Sequence, residues 1–350
     1  MPARQGRGAR DNPAGRFETV EYQEDPRELD EDDRRQVTTQ IIRDHTKSAL
    51  AKNDSPDIPF TYSVNPYRGC EHGCTYCYAR PSHEYLGYSA GLDFETKIVI
   101  KPHIAEHLSR AFQKESWTSQ AVCMSGNTDP YQPIERKFEL SRSCLEVFLE
   151  HRNPVSIITK GGNILRDLDL LSEMAERKLV RAAISVTSLK PEIARAMEPR
   201  AAGPALRLKA IEKLSEAGVP VTVMTAPVVP GLTDEEVPRI LEAAAERGAM
   251  NAGYVLLRLP GTVEGIFVDW LECTFPDRKD KVLNRVRAMR DGKLSDATFG
   301  QRMRGRGEWA RLLNNLFKLS VKKHNLNQPL PPFDVSQFRR LAGGQMGLFS

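Results

Sequence analysis

From Pro59 onward, short runs rich in β-branched residues alternate with longer stretches whose apolar positions recur every three or four residues. The short runs predict strands over 60–64, 120–125, 155–160, 180–187, 220–228 and 254–259, and the longer ones predict helices over 104–114, 137–151, 164–177, 205–217 and 235–247. The last of these starts just past the breaker Pro230-Gly231, where Thr233 and Glu236 have capping-box spacing. Strand and helix alternate at the interval of βαβ units, whose right-handed crossovers build a parallel sheet. The runs VSIITK and VTVMTAPV are nearly continuous in apolar character, the pattern of parallel strands covered on both faces. The expected fold is therefore α/β, a parallel sheet curling into a full or partial barrel, with chemistry at the carboxyl ends of the strands.

The two ends read differently. Residues 1–55 form a polar arm that opens with Arg4, Arg7 and Arg10, turns acidic from Glu24 to Asp33, and predicts a helix over 34–50. Residues 56–276 carry the barrel pattern. Residues 277–350 turn to basic helices, KDKVLNRVRAMR and RGEWARLLNNLFKLSVKKHN, followed by a proline-containing tail expected to lie along the barrel. No G-x-G-x-x-G or G-x-x-x-x-G-K-[ST] follows a strand, so dinucleotide-fold and P-loop readings have no support.

Composition adds limits. Hydrophobic residues at 40% and charged residues at 27% are ordinary for a soluble globular protein. No apolar run is long enough to span a membrane and the first residues lack the apolar stretch of a secretory signal, so the expected location is the cytoplasm. Lys+Arg 50 against Asp+Glu 46 leaves a formal charge of +4, so nucleic-acid binding would have to rest on a local basic patch. Arg302, Arg304 and Arg306, interleaved with glycines and followed by Trp309, form one such candidate, or a solvated face beside one core tryptophan.

Of six cysteines, Cys70, Cys74 and Cys77 fall on one loop after the first predicted strand, in C-x3-C-x2-C spacing. Three thiolates this close can take three corners of one 4Fe-4S cubane and leave the fourth iron without a protein ligand. Arg68, His72 and Arg80 can offset part of the cluster's charge. Structural zinc with His72 or His83 as fourth ligand is the alternative, but the second paired ligand arm usual for such sites is missing. A redox C-x-x-C from Cys74 and Cys77 leaves Cys70 unexplained. Cys144 and Cys273 fall in helical patterns and read as buried packing residues.

At these residues the sequence resembles the radical S-adenosylmethionine (SAM) superfamily, whose signature places an aromatic residue, here Tyr76, just before the third cysteine. CTYCYA, TDPYQP, Thr159-Lys160, ISVTS, MEPR and TAPVVPG resemble the spore photolyase-like, DNA repair photolyase-like branch of it. The resemblance implies a partial (β/α)6 barrel, a 4Fe-4S cluster on Cys70, Cys74 and Cys77, SAM as second cofactor, and an electron donor such as flavodoxin or ferredoxin. It further implies that Ser125 takes the methionyl amino group, Lys160 its carboxylate, Ser185 the ribose and Ala226 the adenine. Tyr76 belongs to the same cofactor site. By the same resemblance Cys123 returns a hydrogen atom to the substrate radical and Tyr78 helps regenerate the deoxyadenosyl radical. A nucleic-acid base or lesion is the implied substrate class. A peptide or small metabolite, or a non-catalytic metal-stabilised nucleic-acid-binding protein, are the competing readings.

Overall fold

A computed structural model describes residues 6–17 and 37–341. Its strands are β1 (Gln40–Arg43), β2 (Leu50–Lys52), β3 (Tyr62–Val64), β4 (Tyr67–Arg68), β5 (Lys97–Ile100), β6 (Val122–Met124), β7 (Val155–Thr159), β8 (Val180–Ser185), β9 (Val221–Val228) and β10 (Asn251–Leu256). The predicted strands are β3 and β6 to β10. They lie side by side in chain order, each parallel to the next, which is the order of a partial (β/α)6 barrel. Strand β2 pairs antiparallel to β3 and extends that edge.

Helices Ile104–Gln113, Leu140–His151, Leu168–Glu176, Pro204–Glu216 and Val237–Ala245 follow the predicted pattern. Their apolar faces (Leu108, Leu145, Leu171, Ile211, Ile240) share one core with Val155, Ile157, Val180, Ala182, Val221 and Val223 of the strands. The opposite strand face is different from what the apolar runs predicted. Ser156 and Ile158 of β7, Arg181 and Ala183 of β8, and Thr222, Met224 and Ala226 of β9 are half-buried, alternating with fully buried neighbours. Helices cover one face, and over β7 to β9 the other is only half-buried.

Thr233 does not act in a capping box. Its hydroxyl accepts from the Val229 amide at 2.9 Å, and the Glu236 carboxylate turns to Ser188 Oγ at 2.7 Å and the Leu189 amide at 2.8 Å. A tertiary partner thus takes the carboxylate that the local rule assigned to the helix start.

The predicted helix over 34–50 is absent from its described part, 37–50, where Gln40–Arg43 instead pairs in parallel with β5. β5 also pairs antiparallel with the short β4, so it has a free edge for an Ile-Ile strand. Arg4 and the acidic stretch from Glu24 to Asp33 lie outside the described residues.

At the far edge, helix Gly307–Lys323 sets Phe317 against Tyr254 of β10, ring centroids 4.7 Å apart. The tail then crosses the amino ends of the strands. The Gln328 amide donates to Met250, Arg181 stacks 4.1 Å from the Phe333 ring, and the Asp334 amide donates to Lys178. Arg340 caps the Lys114, Glu115 and Trp117 carbonyls. On the open side of the barrel, Asp57 before β3 accepts from the Gly300 amide at 2.7 Å and Arg302 Nε at 2.5 Å, linking the segments that flank the two sheet edges. Among the described residues no helix is long and apolar enough to cross a membrane.

Candidate active site

The cysteine loop leaves β4 and is fixed by its own backbone. The Cys70 amide donates to Phe94, Cys77 to the Cys74 carbonyl, and Thr75 to Met197. Gly73 has φ +66, and a Cβ there would meet Glu95 Oε2 at 2.6 Å. Arg80 is fully buried at the loop's end, donating to Cys74, Ala90 and Gly91 carbonyls and pairing with Glu95 Oε1 at 2.5 Å.

Cys70, Cys74 and Cys77 are free thiols. Burial raises the pKa of all three, and each of Cys70 and Cys74 is raised further by neighbouring thiols of the set, so the groups lie within electrostatic reach of one another. Among the described residues no three His, Cys, Asp or Glu side chains gather as a single-ion site. The donor set itself, three soft thiols on one tight loop with no disulfide among them, fits an iron-sulfur cluster. The cations predicted to offset cluster charge each have a carboxylate of their own: Arg68 pairs with Asp44 at 3.2 Å, His72 with Asp129 at 3.4 Å, and Arg80 with Glu95. Arg80 still favours the thiolate of Cys77.

Strand register places the remaining predicted residues on the strand face opposite the helices. Ser63, Cys123, Ser156 and Arg181 form one row across β3, β6, β7 and β8. Ser125, two residues beyond Cys123, and Lys160, two beyond Ile158, continue the same face, with Ser185 opposite Met224 and Ala226 one step further along β9. Ser125 has φ +148, a strained value for a residue with a side chain. Its hydroxyl reaches the Thr128 carbonyl at 3.3 Å. Lys160 Nζ lies 5.9 Å from the Tyr76 ring centroid and close enough to Cys74, Cys77 and Glu198 to favour their ionised forms. Among the described residues it has no ion pair. Burial pushes the Cys123 thiol up to about 12, against a hydrogen bond with Ser156. Tyr78 spans the mouth: its hydroxyl donates to the Gly126 carbonyl at 2.7 Å and its ring lies 5.9 Å from the Arg258 guanidinium. Crowding in the mouth, then Cys77 and Cys123, oppose its ionisation, so both thiols lie within electrostatic reach of Tyr78.

Sequence reasoning missed the carboxylates that organise this site. Asp129 accepts from Thr159 Oγ1 at 2.6 Å, the Lys160 amide at 2.7 Å and the Tyr131 amide at 2.9 Å. Burial opposes its charge, but His72, Thr159 and the Lys160 amide prevail and hold its pKa at about 2. Glu198 accepts from the Tyr76 and Arg207 side chains and from Thr187 Oγ1 at 3.0 Å. Arg207 Nη1 in turn reaches the Ser185 carbonyl at 3.1 Å. TDPY, MEPR and ISVTS therefore fasten the cysteine loop to the ends of β7 and β8. The available signal was a set of acidic residues inside otherwise distinctive motifs.

Other assignments change. Cys144 is buried, but Cys273 is exposed, because it falls off the apolar face of helix Val263–Thr274, and it contacts Arg10. The basic string is engaged within the chain: Arg302 with Asp57, Arg304 stacked 4.0 Å from the Tyr254 ring, Arg306 with Asp291 at 3.0 Å.

Residues 64–244 match the Radical SAM superfamily, a span of more than half of the chain. Uncharacterized protein Rv2578c of Mycobacterium tuberculosis (strain ATCC 25618 / H37Rv) is 39% identical over 234 residues, covering 66% of this chain and 69% of that protein. The radical SAM Nalpha-GlyT isomerase of Pseudomonas phage M6 is 25% identical over 187 residues, 53% of this chain and 37% of the phage protein. Spore photoproduct lyase complexed with dinucleoside spore photoproduct has the same fold, with a TM-score of 0.58 at 16% identity over 81% of this chain and 79% of that chain. A cysteine loop of this spacing at the mouth of a six-stranded parallel sheet, together with the sequence match across it, makes the chain a member of the radical SAM superfamily and an enzyme.

Proposed function

We propose that the chain binds a 4Fe-4S cluster on Cys70, Cys74 and Cys77, uses it with SAM to form a 5′-deoxyadenosyl radical, and acts on a nucleic-acid base or lesion. What supports this reading is strand register: Cys123, Ser125, Lys160, Ser185 and Ala226 fall on the strand face opposite the helices, toward the end where Tyr76 of the cysteine loop meets Lys160. When bound, cluster and SAM together supply the radical, and a flavodoxin or ferredoxin supplies the electron.

The protein's part is positioning. Lys160, a cation without an ion pair among the described residues, receives the methionyl carboxylate. Ser125 is turned toward the amino group by its strained backbone, Ser185 meets the ribose, and the small Ala226 admits the adenine. Tyr76, held by Glu198, stacks beneath Lys160 and walls the cofactor from the core. Cys123 holds a neutral S–H on the same face, available as a hydrogen atom for a substrate radical, and Tyr78, within electrostatic reach of both Cys123 and Cys77, relays the next one. The nucleic-acid substrate is supported by the fold shared with a lyase seen with a dinucleoside photoproduct.

Anaerobic reconstitution should yield about four irons and four sulfides per chain, lost on Cys70→Ala, Cys74→Ala or Cys77→Ala. Dithionite should then drive SAM to methionine and 5′-deoxyadenosine, and Lys160→Ala should weaken SAM binding while keeping the iron. Stoichiometric zinc without iron in anaerobically purified protein would overturn the reading. With substrate present, Cys123→Ala should leave SAM cleavage intact and divert the products. Wild-type product ratios would return Cys123 to packing.

A further inference from the structure

Across the mouth from the thiols, three guanidinium groups gather beyond the end of β10 with too few carboxylates to neutralise them. Arg258, two residues past the strand, lies over Tyr78 and touches Met303 Sδ at 3.6 Å. Arg290 is 2% exposed. Its Nη2 donates to the Leu257 carbonyl at 2.5 Å and the Arg302 carbonyl at 3.1 Å, while its Nε and Nη1 are buried with no hydrogen-bond partner. Arg302 is held by Asp57 and by Ser55 Oγ at 2.5 Å, and lies 4.5 Å from the Phe299 ring, itself 55% exposed.

Two acids lie nearby: Asp57, paired with Arg302, partly offsets the charge of Arg258, and Asp296, 3.9 Å from Arg306, partly offsets that of Arg290. Among the described residues neither Arg258 nor Arg290 has an ion pair. Burial lowers the pKa of both, and the neighbouring guanidiniums, Arg302 on Arg258 and Arg258 on Arg290, lower it further against the smaller opposing pull of Asp57 and Asp296. A buried cation with unmet donors is costly unless an anion completes the site. Planar donors beside exposed rings suit one chemical class well, a phosphate ester attached to a base: guanidinium forks take the phosphate oxygens and an aromatic face takes the base.

We propose that Arg258 and Arg290 form a phosphate-binding subsite for the substrate, with Arg302 holding the wall and Phe299 offering a stacking face. Resting on the nucleic-acid reading above, this names the group by which the substrate is anchored. Arg258 ties that anchor to the cysteine loop, because its guanidinium lies 5.9 Å from the Tyr78 ring.

The test uses the full chain and a fluorescent single-stranded oligothymidylate, followed by anisotropy across roughly 50 to 200 mM salt. Wild-type protein should bind it, Arg258→Gln should weaken binding about tenfold and flatten the log–log salt slope by about 1, and Arg258→Lys should recover part of both. Phe299→Ala should weaken binding with the salt slope unchanged. Thymidine should not compete. Competition by thymidine monophosphate would identify a mononucleotide substrate, and its failure a strand, with the phosphate subsite standing in either case. Circular dichroism checks the fold of an Arg290→Met variant, and Arg258→Gln carries the test if that variant unfolds. Equal binding by wild type and Arg258→Gln, or no binding of either probe by wild type, overturns the proposal. Iron content and 5′-deoxyadenosine formation by the wild type are scored separately. Oligothymidylate binding through Arg258 without SAM cleavage would sink the radical reading and leave the subsite.

Discussion

Both ends of the chain fold back on the barrel, and they are fastened by opposite means. Residues 7–12 lie on the cysteine loop at the carboxyl ends of the strands, and residues 327–340 cross the amino ends. At the first contact the bonds are polar and close. Gly8 and Ala9 donate their amides to the Glu95 carboxylate at 2.9 and 2.7 Å, Arg7 donates to the Glu95 carbonyl at 2.8 Å, and Asn12 bonds Asp93. A Cβ on Gly8 would sit 1.8 Å from the Gly73 carbonyl oxygen, so only glycine lets the two segments approach. At the second contact the seal is aromatic. Phe338 meets Phe112 edge-on and stacks on His151, and backbone amides and Arg340 satisfy loop carbonyls. The rim is fastened by buried charge beside the three thiols, whereas the floor is closed mainly by rings and backbone bonds.

That contrast can be broken most severely at Glu198. Removing it in Glu198→Ala leaves the 2%-exposed Arg207 and the Tyr76 hydroxyl without their partner, and should cost about 3–5 kcal/mol in chemical denaturation. A loss below about 1 kcal/mol would mean that water replaces the carboxylate and that the rim is not a closed network.

Gly8→Ala comes next. Lifting the segment off Glu95 loosens its amide bonds to a charged acceptor, about 1.5–3 kcal/mol in all. Protease should then cut near residue 10 faster, and a chelator should strip iron faster from reconstituted protein. Wild-type rates for both would show that the arm covers nothing the cluster needs.

Phe338→Ala should cost less, about 1–2 kcal/mol from partly buried aromatic contacts, with iron loading unchanged. A parallel loss of iron would mean that floor and rim are coupled through the sheet.

The smallest effect is a pH dependence at the floor. His151 is buried, donating from Nδ1 to the Arg339 carbonyl at 3.1 Å and accepting from Ser109 Oγ at 3.0 Å, so its neutral tautomer fits. Burial lowers its pKa below the unfolded value of about 6.5. The unfolded state therefore takes up the proton first, and this contribution, full above about pH 6.5, is lost as pH falls below it toward the folded value. The stability difference between wild type and His151→Gln should shrink from pH 7.5 to pH 5.5. A constant difference would show that His151 does not titrate with unfolding.

Much of the barrel was readable because strands and helices announce themselves by local period, and β3 and β6 to β10 fall within the predicted runs or a few residues from them. Strands β1, β2, β4 and β5 escaped, as did two local details. Strand β1 sits where local propensity favoured helix, because its partner β5 is more than fifty residues away. The Thr233 cap failed because Ser188, forty-eight residues back, competes for Glu236. Cys273 was taken for core, although its helix turns it outward.

By itself the sequence determined which runs become the six parallel strands and that three thiols share a single loop, since each depends on spacing along one local stretch of chain. The tertiary structure alone decided which acids are buried and whom they serve. Tyr76 meets Glu198 across 122 positions, the Gly8 amide meets the Glu95 carboxylate across 87, and Arg302 meets Asp57 across 245. A charge survives burial only where its partner is delivered to it, and delivery over such separations is set by how the sheet curls and not by any periodicity in the chain.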